Sequence, residues 1–116
     1  MTTENNWDKY RPFNEDELLQ QIGKGNIFAI SGGRVEVWRT DDGKEARTVT
    51  LPVSHGYKVE IYLDWDDTYT VSRILVRKGK TTVKGTIEGV YCDQVGEIAY
   101  QASCFVNVEF GSKVVA

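Results

Sequence analysis

The chain has 116 residues, 41% of them hydrophobic and 27% charged, with a net charge of −3. That suits one domain around one core, and it is too apolar for a chain that stays disordered. The acidic balance means that a nucleic-acid partner has to be argued from local charge, and no run approaches the roughly 18 apolar residues of a membrane span.

The opening MTTENNWDKYRPFNEDE is polar and acidic without an apolar segment, so a signal peptide is not expected and the chain is read as cytoplasmic. Residues 1–12 read as a flexible arm, with Trp7 and Tyr10 available to dock it, and 13–116 as a single domain. Asn14 is placed as an N-cap with Glu17 three residues on, Phe13 and Leu18 as a staple, and Gly23 as a stop. Leu18, Leu19 and Ile22 then give a helix over 15–22 one apolar face.

From Asn26 the pattern alternates, with turn residues at short intervals, which predicts an antiparallel meander over 26–110. A turn at Gly32-Gly33 sets Ile30 opposite Val35 and Phe28 opposite Val37. A three-residue loop at Asp41-Asp42-Gly43 sets Val35 opposite Val49 and Arg39 opposite Glu45. A loop at Trp65-Asp66-Asp67 pairs Leu63 with Tyr69 and Ile61 with Val71. A turn at Lys78-Gly79 pairs Ile74 with Val83 and requires a bulge near Ser72-Arg73.

A last turn at Gln94-Val95 pairs Tyr91 with Ile98, Ile87 with Ala102 and Val83 with Val106, and sets Gly89 and Gly85 against Tyr100 and Cys104. The competing reading is a short helix opening at Asp93, with Val95, Ile98, Ala99 and Ala102 on one face. The expected fold is mainly β: one short N-terminal helix and about seven antiparallel strands in a strongly bent sheet or a partly closed small barrel.

The segment IYLDWDDT, Ile61 to Thr68, resembles the first motif of the haloacid dehalogenase-type phosphatases. Those enzymes need a parallel sheet with crossover helices, and the residues after Thr68 alternate as strands, so the segment reads as a hairpin tip. Asp64, Asp66 and Asp67, with Glu60 nearby, lack the loop of a calcium site, and no metal is expected. His55 beside Ser54 reads as part of a Gly/Pro turn rather than as a base, and Cys92 and Cys104 as buried free thiols. No enzyme activity and no cofactor are expected.

Charge is segregated. Arg73, Arg77, Lys78, Lys80 and Lys84 lie together with no acid among them, and the Lys78-Gly79 turn would face Arg73 with Lys84 and Arg77 with Lys80. Three explanations compete: an edge kept soluble by its lysines, a ridge for an acidic protein or a nucleic acid, and self-association with the Asp64–Asp67 tip of another copy. Trp38 lies on the opposite face of its strand from Val35 and Val37, and is a candidate anchor. The preferred reading is a non-enzymatic module that binds a protein through Trp38, Arg73, Arg77, Lys78, Lys80 and Lys84. The alternatives are a nucleic-acid-binding barrel and a small-ligand barrel open near Tyr62, Tyr69 and His55.

The phrases NIFAISGGRV, LPVSHGYKVEIYL, DTYTVSR and VYCDQVGEIAYQASCF resemble those of small uncharacterised proteins of actinobacterial viruses. The resemblance implies an accessory protein of the host cytoplasm and carries no residue roles.

Overall fold

The computed structural model describes residues 12–40, 46–104 and 110. Among these residues two helices, α1 (Glu15–Ile22) and α2 (Lys24–Ser31), precede five strands, β1 (Glu36–Arg39), β2 (Ala46–Pro52), β3 (Tyr57–Leu63), β4 (Tyr69–Arg77) and β5 (Lys80–Val90), and helix α3 (Val95–Ser103) follows. The flexible arm expected over 1–12 lies, but for Pro12, outside the described residues.

Helix α1 starts where its cap predicts. Asn14 is extended and its side chain accepts the Glu17 N–H at 3.1 Å. At the other end the Gly23 N–H closes on the Leu19 carbonyl at 3.0 Å. Leu18 and Ile22 are buried.

The segment after Gly23 is a second helix, not the first strand of a hairpin. Ile27, Ile30 and Ser31 are buried while Phe28 is 72% exposed, the spacing of a helical face. Gly32 and Gly33 have φ of 68° and 94°, which a tight hairpin turn and a helix C-terminus both favour. The Gly32 N–H decides between them by bonding the Phe28 carbonyl at 2.8 Å. The expected pairings of Ile30 with Val35 and Phe28 with Val37 therefore do not form.

The five strands, rich in β-branched residues, make one antiparallel sheet in the order β1-β2-β3-β4-β5. The sheet is open among the described residues, so neither seven strands nor a barrel is found. Against β2, Val37 faces Val49 and Arg39 faces Ala46, a register two residues away from the expected match of Val35 with Val49. The expected partner Glu45 lies outside the described residues, as does Val106. Between β3 and β4 the register is the one expected, Leu63 with Tyr69 and Ile61 with Val71.

The β4–β5 ladder keeps Ile74 with Val83 and Arg77 with Lys80, but slips after Ile74, so that Arg73 faces Gly85 and Lys84 is the extra residue. Arg73 thus does not oppose Lys84, and one of the two expected like-charge pairs disappears. A second slip lies between Tyr69 and Val71, near Gly89 with φ of 70°.

The segment expected as the last hairpin is α3. Val95, Gly96, Ala99, Ala102 and Ser103 are buried, a helical stripe, so the competing reading holds and the strand pairings across Gln94-Val95 fail. The cap is Gln94 rather than Asp93, and its side chain makes no capping bond. Gly85 lies against the backbone of Phe110 instead of facing Cys104. Of the two cysteines, both free thiols, Cys92 is exposed, contrary to expectation, and Cys104 half-buried.

The three helices cover one sheet face. Leu18, Ile22, Ile27, Ile30, Val95, Ala99 and Ala102 pack on Val49, Leu51, Val59, Ile61 and Val71. The Tyr69 hydroxyl donates to Gln21 Oε1 at 2.8 Å and Arg39 pairs with Glu15, which tie the sheet to α1.

Candidate functional site

The IYLDWDDT segment forms the β3–β4 turn. Asp66 Oδ1 accepts the Thr68 N–H at 3.1 Å and the Thr68 hydroxyl at 2.7 Å, and Asp64 Oδ2 accepts the Thr70 hydroxyl at 2.5 Å. The Asp64 N–H and the Thr68 carbonyl close the loop at 2.7 Å. Thr68 is the largest cause that holds the Asp66 carboxyl below its usual range, because the bonds it donates favour the charged form. Two of the three aspartates thus serve the turn itself. Among the described residues no three His, Cys, Asp or Glu side chains are grouped to hold a metal ion.

Arg73, expected on the surface, is 3% exposed. Its Nε donates to the Ala102 carbonyl at 2.8 Å, and its Nη2 to the carbonyls of Gln101 and Cys104 at 3.3 and 3.1 Å. Phe110 lies under the guanidinium at 5.2 Å. The last turn of a helix leaves carbonyls without partners, and a cation there also meets the negative end of the helix dipole. Arg73 therefore fastens the end of α3 to the middle of β4, and is not available to a partner. Burial pulls its pKa below the usual guanidinium range, with the charge retained at neutral pH.

The remaining cations stay on the surface. Arg77, Lys78, Lys80 and Lys84 are exposed, and no bond or ion pair among the described residues holds Lys78, Lys80 or Lys84. Lys78 and Gly79 have φ of 53° and 77°, the left-handed pair of a two-residue turn. Arg77 and Lys80 do face each other, but Arg77 Nη2 donates to the His55 carbonyl at 3.1 Å, which draws its charge toward the β2–β3 turn. The Val76 N–H also reaches that turn, bonding the Gly56 carbonyl at 2.8 Å.

Trp38 is 54% exposed, on the sheet face away from the helices. It is not beside the basic tip. Trp38 faces Thr48 on β2, and the same row reaches Thr70 on β4, whereas Arg77 lies at the far end of that strand. Three strand spacings and seven residues put Trp38 and Arg77 roughly 27 Å apart. The expected six-residue surface is therefore not one site: Arg73 is inside, Trp38 is remote, and four cations remain together.

The mouth expected near Tyr62, Tyr69 and His55 is not assembled either. Tyr69 is buried on the helix side, Tyr62 is on the other face, and His55 is in the β2–β3 turn. There the His55 Nδ1 lies 3.2 Å from Ser54 Oγ, a contact between neighbours in one exposed turn.

Two features escaped the sequence reading. The face away from the helices carries a polar row across all five strands, Glu36, Thr50, Glu60, Ser72 and Thr86. Lys58 Nζ pairs with Glu36 Oε1 at 3.0 Å and leaves Glu60, at the centre of the row, without a bond from the described residues. Burial raises the Glu60 pKa. The alternation of charged and hydroxyl residues with apolar ones signals such a face, but the register that lines up Glu60 with Thr50 and Ser72 is tertiary. The second feature is a surface cleft of about 510 Å³ between α1 and α2, lined by Asp16, Leu19, Gln20, Lys24 and Ile27. It exists only because 24–31 is helical.

Comparisons of the chain with protein-family models, with curated proteins and with solved structures give no match. No helix among the described residues is long and apolar enough to cross a membrane. What the described residues present is a cluster of four exposed cations, Lys78, Lys80 and Lys84 unpaired among them, on a two-residue hairpin at one end of the sheet.

Proposed function

We propose that this protein is a non-enzymatic binding module that engages an acidic protein surface through the tip of the β4–β5 hairpin. One observation carries the reading: Lys78, Lys80 and Lys84 are exposed and, among the described residues, unpaired, although the chain as a whole has a net charge of −3. Cations left unpaired in an acidic protein give a directed positive patch, which speeds and orients the approach of a negative partner. The resemblance to proteins of actinobacterial viruses extends the proposal to a viral accessory protein and chooses the lysate for its test.

The test is affinity capture from an actinobacterial lysate, with and without nuclease, by the wild-type chain and by a Lys78→Glu, Lys80→Glu, Lys84→Glu variant. A discrete acidic protein that survives nuclease and is lost with the variant is the expected result, with retention that weakens as salt rises. Capture that disappears with nuclease would make the ligand a nucleic acid and replace this reading.

A further inference from the structure

We infer that the docking element is the outer edge of β5 from Thr81 to Lys84, and that its ligand is an extended acidic peptide which adds as a further strand. The inference rests on the proposed binding role and specifies how the partner is held.

The geometry follows from the turn. In a two-residue hairpin the flanking residues, here Arg77 and Lys80, exchange both backbone bonds, and the pairs beyond alternate. Val76 with Thr81 and Ile74 with Val83 are then the pairs whose N–H and C=O groups point away from each other. The Val76 N–H agrees, since it turns away from β5 to the Gly56 carbonyl. The N–H and C=O groups of Thr81 and Val83 therefore face outward from the edge, and no bond among the described residues engages them. The free edge ends near Gly85, where the backbone of Phe110 approaches.

Side chains say what the added strand must carry. Val83 is 59% exposed and stands opposite the buried Ile74, so one face of the edge offers an apolar seat. Lys80 points to the other face, with Arg77 across from it. A strand that alternates apolar residues with carboxylates matches both faces at once. A second copy does not, because pairing two β5 edges would bring the lysines of both copies together. The lysines that repel another β5 attract an acidic strand.

The experiment is an anisotropy titration of the full chain with short, end-capped peptides in which Glu alternates with Val. Controls are the same peptides methylated on alternate backbone nitrogens and a single-stranded oligodeoxynucleotide. Variants are Val83→Pro, which removes an outward N–H and leaves the ladder to β4 intact, Val83→Thr, and the triple lysine-to-glutamate change. Binding of the Glu-Val peptide is expected, with loss on methylation and a weakening of about tenfold in Val83→Pro but not in Val83→Thr.

Equal binding of the methylated peptide, or no effect of Val83→Pro in a folded chain, would overturn strand addition while leaving the basic tip as a charged contact. Peptide binding unaffected by the triple charge reversal would sink the proposed function as well. Failure of every acidic peptide, binding of the oligonucleotide instead, or a doubled mass in sedimentation would each overturn the choice of ligand. Because methylation alters only the peptide, it tests the inference even if Val83→Pro fails to fold.

Discussion

Two carboxyl groups with opposite shifts give this protein two pH signatures. Glu60 is raised by burial above its ordinary value of 4.5, so its contribution to stability is present below that value and is lost as pH rises through its folded pKa. Glu60→Gln should therefore raise the melting temperature at neutral pH and flatten the stability profile above 4.5, read by thermal unfolding across pH. Asp66 is lowered from 3.8 chiefly by the Thr68 hydroxyl, so what it contributes is present above 3.8 and disappears as pH falls through its lower folded pKa. Thr68→Val should move the Asp66 titration, followed by NMR, back toward 3.8, and an unmoved titration would mean that the turn is not held by this bond. The DxDxT spacing was legible as a turn from the sequence because its aspartates bond neighbours within a few residues. Glu60 was not, since its isolation depends on Lys58 reaching Glu36 across β2.

Beyond its apolar packing, helix α3 is held by two attachments that can be removed singly, Arg73 and Gly96. Arg73→Ala deletes the donor to three carbonyls around the end of α3 and should destabilise the fold by about 3 kcal/mol in denaturant unfolding. Arg73→Lys should recover only part, because an ammonium lacks the planar fork that reaches all three. A cost near that of an exposed residue would show that α3 is held without it. Gly96 is the other attachment: an added Cβ would run into the Ile22 carbonyl at the end of α1. Gly96→Ala should therefore cost about 2 kcal/mol, even though alanine favours the helix interior, and a stabilised variant would contradict the close packing of α1 and α3.

At the scale of the whole molecule, the surface proposed for binding is separate from what holds the fold. Of the four cations at the β4–β5 tip, Lys78, Lys80 and Lys84 make no bond among the described residues. Reversing Lys78, Lys80 and Lys84 should change stability by no more than about 0.5 kcal/mol per residue while abolishing partner capture, a separation that parallel unfolding and binding measurements would reveal. The acidic β3–β4 turn and the basic β4–β5 turn stand at opposite ends of β4, so any attraction between two copies through them runs head to tail. Sedimentation at low and high salt distinguishes such chains from a monomer. Among the described residues the open sheet also leaves β5 with a free edge, which a closed barrel would have removed.

By itself the sequence determined the features that depend on neighbours. The Asn14 cap, the Lys78-Gly79 turn and the β3–β4 register all rest on residues close along the chain, whose dihedral preferences and alternation specify the geometry. Tertiary structure decided the rest. The runs 26–31 and 95–103 suit a strand or a helix locally, and burial of Ile27, Ile30, Val95, Ala99 and Ala102 against one sheet face made both helical. A one-residue bulge at Lys84 then turned the expected pairing of Arg73 with Lys84 into one with Gly85, and the end of α3 supplied the carbonyls that draw Arg73 inside. Arginine is hydrophilic in any sequence reading; only a helix terminus brought against β4 by packing makes it a core residue.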